Sequence, residues 1–339
     1  MKAAVQGDGV VQVEERPKPS IEKGEVLVKV AAIGLNPTDW KHAFREKYPG
    51  AICGVDFAGR VEEVGEGVSG WSKGDRIAGG DHGGGPFPSR GAFAEYVAAD
   101  AALAMHIPLA VKDEEAACFW CSVTTVGQGL YQSLQLPTPD APATDRTPLL
   151  IWAGSTGTGV LAIQYARVSG LDVITTCSPK HFDYLKTLGA SHTFDYNDPD
   201  VAAKIKKVSG NKLKYAFDCI SQGDSTKLCA ESMSDEGGVY SSLLPVNTEG
   251  LRQDVEYKWT LAYTAFGRAI KAKSWETPAR PEDHRFAARF WKISETLFDS
   301  GVIKTWKTRV IPGGLAGVQK GLVELQEGKV SGEKLALIL

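Results

Sequence analysis

The stretch Gly154-Ser155-Thr156-Gly157-Thr158-Gly159 is the plainest place for chemistry in this chain. It follows a continuous apolar run, Leu149-Leu150-Ile151-Trp152-Ala153, and leads into a segment of helical composition. Glycines there let the backbone turn tightly and approach a pyrophosphate, while a helix N-terminus offers N–H groups and a positive dipole end. The spacing departs from G-x-G-x-x-G, and a tight strand-to-helix turn without a ligand is the alternative. The next strand ends in Cys177-Ser178-Pro179-Lys180-His181. An NAD site places an acid near this point to hold the ribose 2′-hydroxyl. Here Ser178 offers a hydroxyl, Lys180 a charge and His181 a donor, a set that suits a 2′-phosphate. The spacing therefore predicts NADPH in preference to NADH, with a solvated helix cap as the alternative.

The elements that must position these groups fall into two styles. The first ~125 residues read as strands punctuated by glycine and proline, as in a compact antiparallel barrel. Residues 25–33, 57–65 and 92–97 alternate as half-buried strands do. A helix is expected from Asp113 to about Ser133, followed by a proline-rich loop. From Leu149 strands and helices alternate, which predicts a doubly wound parallel sheet. Further on, helices are expected over 282–297 and 315–326, and strands over 308–311 and 335–339. The run Gly79-Gly80-Asp81-His82-Gly83-Gly84-Gly85-Pro86 does not lead from a strand into a helix, so it reads as a mobile loop at a cleft mouth.

The formal charge of −3 and the 23% charged residues give no electrostatic reason to bind nucleic acid or an anionic membrane. No apolar run approaches the roughly 20 residues that span a bilayer. The N-terminus lacks an apolar signal core, so a cytoplasmic location is expected. Six cysteines in 339 residues are too sparse for a disulfide scaffold.

With these pieces in place, the chain resembles the medium-chain dehydrogenase/reductase superfamily along its whole length. The resemblance rests on Gly34-Leu35-Asn36-Pro37-Thr38-Asp39, Gly54-Val55-Asp56-Phe57-Ala58-Gly59, Gly74-Asp75-Arg76-Ile77, Gly91-Ala92-Phe93-Ala94-Glu95-Tyr96 and the glycine turn. Within that superfamily it is similar to the zinc-independent, quinone-oxidoreductase-like branch. It is most similar to fungal trans-acting enoyl reductases of polyketide biosynthesis. That subgroup is carried by Asn36-Pro37-Thr38-Asp39-Trp40-Lys41, Cys177-Ser178-Pro179-Lys180-His181, Phe194-Asp195-Tyr196 and Gly328-Lys329-Val330-Ser331-Gly332-Glu333-Lys334-Leu335. The resemblance implies an α/β protein. A GroES-like β-barrel catalytic domain would span 1–123 and 273–339, and a Rossmann cofactor domain 124–272, with the active site in the cleft where they meet.

Zinc enzymes of this superfamily carry Cys-His where this chain has Asn36-Pro37, and Gly-His-Glu where it has Gly54-Val55-Asp56. Only Cys121 matches a ligand place, and a catalytic zinc needs three. Without a Lewis acid the reaction class shifts from alcohol oxidation towards reduction of an electron-poor alkene or quinone. The resemblance implies hydride transfer to the β-carbon of an α,β-unsaturated thioester on a carrier domain of a separate polyketide synthase. A quinone or small-enone reductase with a free substrate and a non-catalytic NADPH-binding protein are the other readings. By resemblance, Thr125 faces the nicotinamide and Lys41 lies at the cofactor's edge, both as catalytic candidates. Thr38, Ser155, Thr156, Gly157, Thr158, Ser178, Lys180, His181, Tyr196, Leu243, Leu244, Val330 and Ser331 are the further cofactor candidates. Thr264, Ala265, Phe266, Gly267 and Arg268 resemble a substrate-lining segment, and no residue is assigned to a metal. The plain alternatives are a self-bonded helix hydroxyl for Thr125, a solvated lysine for Lys41 and a core tyrosine for Tyr196.

Overall fold

The computed structural model describes residues 1–46 and 48–339. They form two compact units: Met1–Thr124 with Tyr263–Leu339, and Thr125–Ala262. Segment 263–272, which the sequence reading placed with the central part, belongs to the first unit.

The second unit is built on six strands, all parallel. In spatial order they are His192–Asp195, Asp172–Cys177, Pro148–Trp152, Tyr215–Asp218, Gly238–Ser242 and Val255–Trp259. In chain order this is 3-2-1-4-5-6, the doubly wound arrangement expected from the alternation of elements. The central strands are apolar because helices cover both faces of such a sheet. Leu149, Leu150, Ile151, Val173 and Ile174 are all fully buried. The strands Gly238–Ser242 and Val255–Trp259 escape a periodicity reading. The first ends in buried serines, and the second is an edge strand with charges at Glu256 and Lys258.

The first unit holds a mostly antiparallel sheet, seven-stranded among the described residues. Its long central strand Glu25–Leu35 pairs with Asp56–Val64, with Tyr96–Asp100 and with the terminal strand Lys334–Ile338. Both chain ends thus build one sheet. The third early strand runs over Tyr96–Asp100 rather than 92–97, since Ala94 bridges to Ala3 of a hairpin, Lys2–Gln6 with Val11–Glu15. The expected helix from Asp113 to Ser133 is broken into Asp113–Ala116, Phe119–Val126 and a π-turn over Gly127–Ser133. Among the described residues no helix is long and apolar enough to cross a membrane.

A buried polar knot fastens the last strand to the turn that follows the central one. Lys334, only 6% exposed, donates to Asn36 Oδ1, and Asp39 accepts from the Asn36 N–H at 2.7 Å. Asp56 is fully buried and accepts from the Cys121 N–H at 2.8 Å. Burial raises the carboxyl of Asp56 to about 6, against the pull of Lys334. Burial also holds Asp39 well above the usual carboxylate range, reinforced by Asp56 and opposed by its bond to Asn36. A carboxyl raised on folding takes up protons, so its share of stability falls as pH climbs through about 6. Lys334→Met removes a cation that acts on both acids and should cost about 3–5 kcal/mol at neutral pH. The loss should grow from pH 5 to pH 8 in urea unfolding curves, and a pH-independent loss would contradict this electrostatic role.

Candidate functional site

Parallel strands deliver all their carboxyl ends to one edge of the sheet. Most of the cofactor candidates of the second unit meet there by topology alone. The strand Pro148–Trp152 runs into the glycine turn, Asp172–Cys177 into Ser178, and His192–Asp195 into Tyr196. Tyr215–Asp218 ends at Cys219, and Gly238–Ser242 runs into Leu243 and Leu244. The order reverses between Pro148–Trp152 and Tyr215–Asp218, the place where open α/β sheets take ligands.

The turn is a tight construction. Ala153 adopts φ 60°, and Thr156 caps the helix Gly157–Val168. The Thr156 hydroxyl donates to Ala153 O at 2.9 Å and accepts from the Gly159 N–H at 3.0 Å. A Cβ on Gly159 would stand 2.6 Å from Ala153 O and 2.7 Å from Gly154 Cα. On Gly154 it would meet Thr175 Oγ1 at 2.1 Å. Only glycine lets the helix start this close to the strand. The first N–H groups of a helix lack intrahelical acceptors. Ser155, Thr156, Gly157 and Thr158 lie half-buried around them. These residues fit a bound dinucleotide phosphate.

At the second strand's tip Ser178 is half-buried, Lys180 exposed and His181 half-buried. Partial burial, and then Lys180, hold the His181 imidazole below its usual value. It is therefore neutral at pH 7 and offers hydrogen bonds rather than charge. Asp195, level with Cys177 on the next strand, spends Oδ1 on the backbone and side chain of Asn197. Tyr196 is 45% exposed, which excludes the core-tyrosine alternative. At the neighbouring tips the Leu243 N–H donates to Ser221 Oγ at 3.0 Å, and Ser242 Oγ donates to Leu244 O at 2.8 Å. Asp218 fixes this corner by accepting from Ser225 Oγ at 2.6 Å and from the Tyr240 hydroxyl at 2.7 Å. Thr125 is buried on the helix Phe119–Val126.

In the first unit, Thr38 and Lys41 sit on the short helix Pro37–Lys41. Lys41 is not a freely solvated lysine: burial, and then repulsion from Arg45, lower its ammonium. The Thr38 hydroxyl meets the Tyr263 hydroxyl at 2.8 Å. Tyr263 opens the segment Thr264-Ala265-Phe266-Gly267-Arg268, so cofactor and substrate candidates join here. Thr264 and Ala265 are buried; Phe266, Gly267 and Arg268 are half-buried. The Tyr263 ring stacks on His82 at 3.9 Å, and Phe266 stacks on Trp120 at 4.6 Å. Val330 packs against the barrel core, while Ser331 is exposed.

The glycine-rich run differs from its expectation. Residues 79–85 are buried rather than forming an exposed loop. A Cβ on Gly83 would lie 2.2 Å from Gly54 O, so these glycines serve close packing. Sequence reasoning missed His82, Tyr263 and Trp120 as members of this cluster. The only local signal was a histidine inside a glycine run.

The places of zinc ligands do not fit the metal. Asn36 Oδ1 accepts from Lys334, and Val55 is a buried hydrocarbon. Among the described residues no three His, Cys, Asp or Glu side chains are grouped to hold a metal ion.

Residues 22–109 match the alcohol dehydrogenase GroES-like domain and residues 157–243 the zinc-binding dehydrogenase family. The chain is 42% identical to the trans-enoyl reductase ACTTS2 of Alternaria alternata, over 98% of this chain and 96% of that protein. It is 42% identical to the trans-enoyl reductase resD of Aspergillus sclerotiorum, over 95% of both. The fold matches the CurK enoyl reductase with a TM-score of 0.78 at 19% identity, over 99% of this chain and 98% of that one. A GroES-like barrel fed by both chain ends, a 3-2-1-4-5-6 parallel sheet and this near full-length identity agree. The chain belongs to the trans-enoyl reductase family of the medium-chain dehydrogenase/reductase superfamily.

Proposed function

We propose that this chain is an NADPH-dependent, trans-acting enoyl reductase working without zinc. Its substrate is an α,β-unsaturated polyketide thioester on the carrier domain of a separate synthase. The observation that carries this reading is the 42% identity to a named trans-enoyl reductase across 98% of the chain. When bound, NADPH supplies the hydride that the β-carbon of the alkene receives. The rest of the work falls to the chain. Ser155, Thr156, Gly157 and Thr158 hold the pyrophosphate at the helix start. Ser178, Lys180 and His181 take the 2′-phosphate, with Lys180 supplying charge and the other two hydrogen bonds. Tyr196 borders the adenosine, and Leu243, Leu244, Val330 and Ser331 the nicotinamide half. Thr38, Lys41 and Thr125 orient the reacting ends, and residues 264–268 line the acyl chain.

Negative charge grows on the thioester oxygen as the hydride arrives, and a positioned N–H or O–H donor there lowers the barrier. Lys41 suits that task because its ammonium is part-desolvated and its attraction for an oxyanion correspondingly less screened. The alkene of an α,β-unsaturated thioester is already electron-poor, so a Lewis acid is dispensable. Asn36 and Val55 in the ligand places agree with that.

Steady-state kinetics should give kcat/KM at least about tenfold higher with NADPH than with NADH. Lys180→Ala should raise KM for NADPH about tenfold and leave kcat for NADH nearly unchanged. Equal kcat/KM for both cofactors in the wild type would refute the 2′-phosphate assignment. Carrier-bound crotonyl thioester should be reduced much faster than the same acyl group on a small free thiol. Equal rates, together with turnover of simple quinones, would instead identify a free-substrate reductase.

A further inference from the structure

The cluster around Tyr263 holds buried hydrogen-bond donors with nothing to accept from them. Trp120 is fully buried, yet its indole Nε1–H has no partner. Arg268 has two enclosed nitrogens, Nε and Nη2, without a hydrogen bond. His82 is 1% exposed and neither ring nitrogen is paired. Burial, together with the nearby His42, Arg268 and Arg90, holds its pKa well below the usual value. It is therefore neutral and brings one donor and one acceptor. Native proteins leave few buried polar atoms unpaired, and each costs stability. Four unpaired donors set around the Tyr263 and Phe266 rings, against a single acceptor, are complementary to an acceptor-rich ligand.

The obvious internal partner is already committed. The Asp81 carboxylate accepts from Arg90 Nε at 2.9 Å, from the His82 N–H at 2.9 Å and from the Gly91 N–H at 2.9 Å. Arg268 Nη2 stays 3.7 Å away, beyond hydrogen-bond reach. The Arg268 guanidinium lies instead over Phe87 at 4.4 Å and Phe266 at 5.1 Å, with its side chain 32% exposed. Arg90 also pairs with Glu25 at 2.7 Å. Glu22 acts on Arg268 as well, so two guanidinium groups face three carboxylates and the place carries no surplus positive charge. A dianion has no net attraction to such a place; a neutral oxygen has donors waiting. Phe87, Phe266 and Trp120 set these groups in apolar surface, which favours a ligand with a carbon skeleton.

We propose that Arg268 and Trp120 read a neutral oxygen, a keto or hydroxyl group, carried along the acyl chain of the substrate. This rests on the enoyl-reductase reading and makes the cluster a specificity site for oxygenated chains. His82 backs it as a positioning residue, stacked on Tyr263 and bracketed edge-on by Phe87 at 5.4 Å.

The test uses the full chain with two N-acetylcysteamine thioesters of equal length, a plain alkenoyl and its δ-keto analogue. The wild type should favour the keto substrate about tenfold or more in kcat/KM, mainly through KM. Arg268→Met and Trp120→Phe should each collapse that ratio towards one. Trp120→Phe gives up the packing of a fully buried ring, so stability is read on Arg268→Met, which loses no internal hydrogen bond and should unfold within about 2 °C of the wild type. A wild type without preference, or variants that keep the ratio, overturns the inference while enoyl reduction stands. A loss above about 5 °C in Arg268→Met also overturns it, since enclosed water would then be the partner. Reduction of neither substrate by the wild type sinks the enoyl-reductase reading and this inference with it.

Discussion

The absence of a side chain at Gly159 governs the cofactor half of the molecule. The helix Gly157–Val168 begins 2.6–2.7 Å, measured from the virtual Cβ, from the atoms of Ala153 and Gly154. Any larger residue would push the helix start off the strand end. That start must sit there, because its N–H groups are useful only where the sheet's carboxyl edge also presents Ser178, Lys180 and His181. Cβ-free contact therefore sets the register between phosphate cradle and strand tips. The close approach leaves Thr156 to serve as cap, spending its hydroxyl on Ala153 O and the Gly159 N–H.

The first unit has a different organising constraint, the buried ammonium of Lys334. Two fully desolvated acids, Asp39 and Asp56, lie near it, and neither carboxyl would be tolerable without a cation. Lys334 enters on the last strand, paired through Leu335 and Ala336 with Leu35 and Gly34. The same contact places Asn36, hence the helix Pro37–Lys41, hence Thr38 and Lys41. The chain's final residues thus fix the geometry of its first functional motif. Where a metal enzyme places ligands, this chain has an amide tied to a lysine and a buried valine.

Much of this was legible in sequence, for identifiable reasons. The strand Pro148–Trp152, the glycine turn and the tip at Ser178 are local in the chain, so apolar runs and glycine spacing reveal them. Local pattern also finds the helix Pro281–Asp299 within two residues at either end. What stayed hidden depends on contacts between distant segments. The strand Gly238–Ser242 is half polar because the Ser241 hydroxyl meets the Ser133 hydroxyl at 2.7 Å, a partner more than a hundred residues away. The run Gly79–Pro86 resembles a solvent loop in composition, yet its glycines are small because Gly54 and Trp120 press on them. The pairing state of Arg268 is hidden most deeply. It turns on whether Asp81 prefers Arg90 or Arg268, and two guanidinium groups 178 positions apart look alike in a sequence. Arg90 wins because it stands nine residues away and already bonds Glu25 as well as Asp81. The loser of that competition is the group left to recognise something from outside.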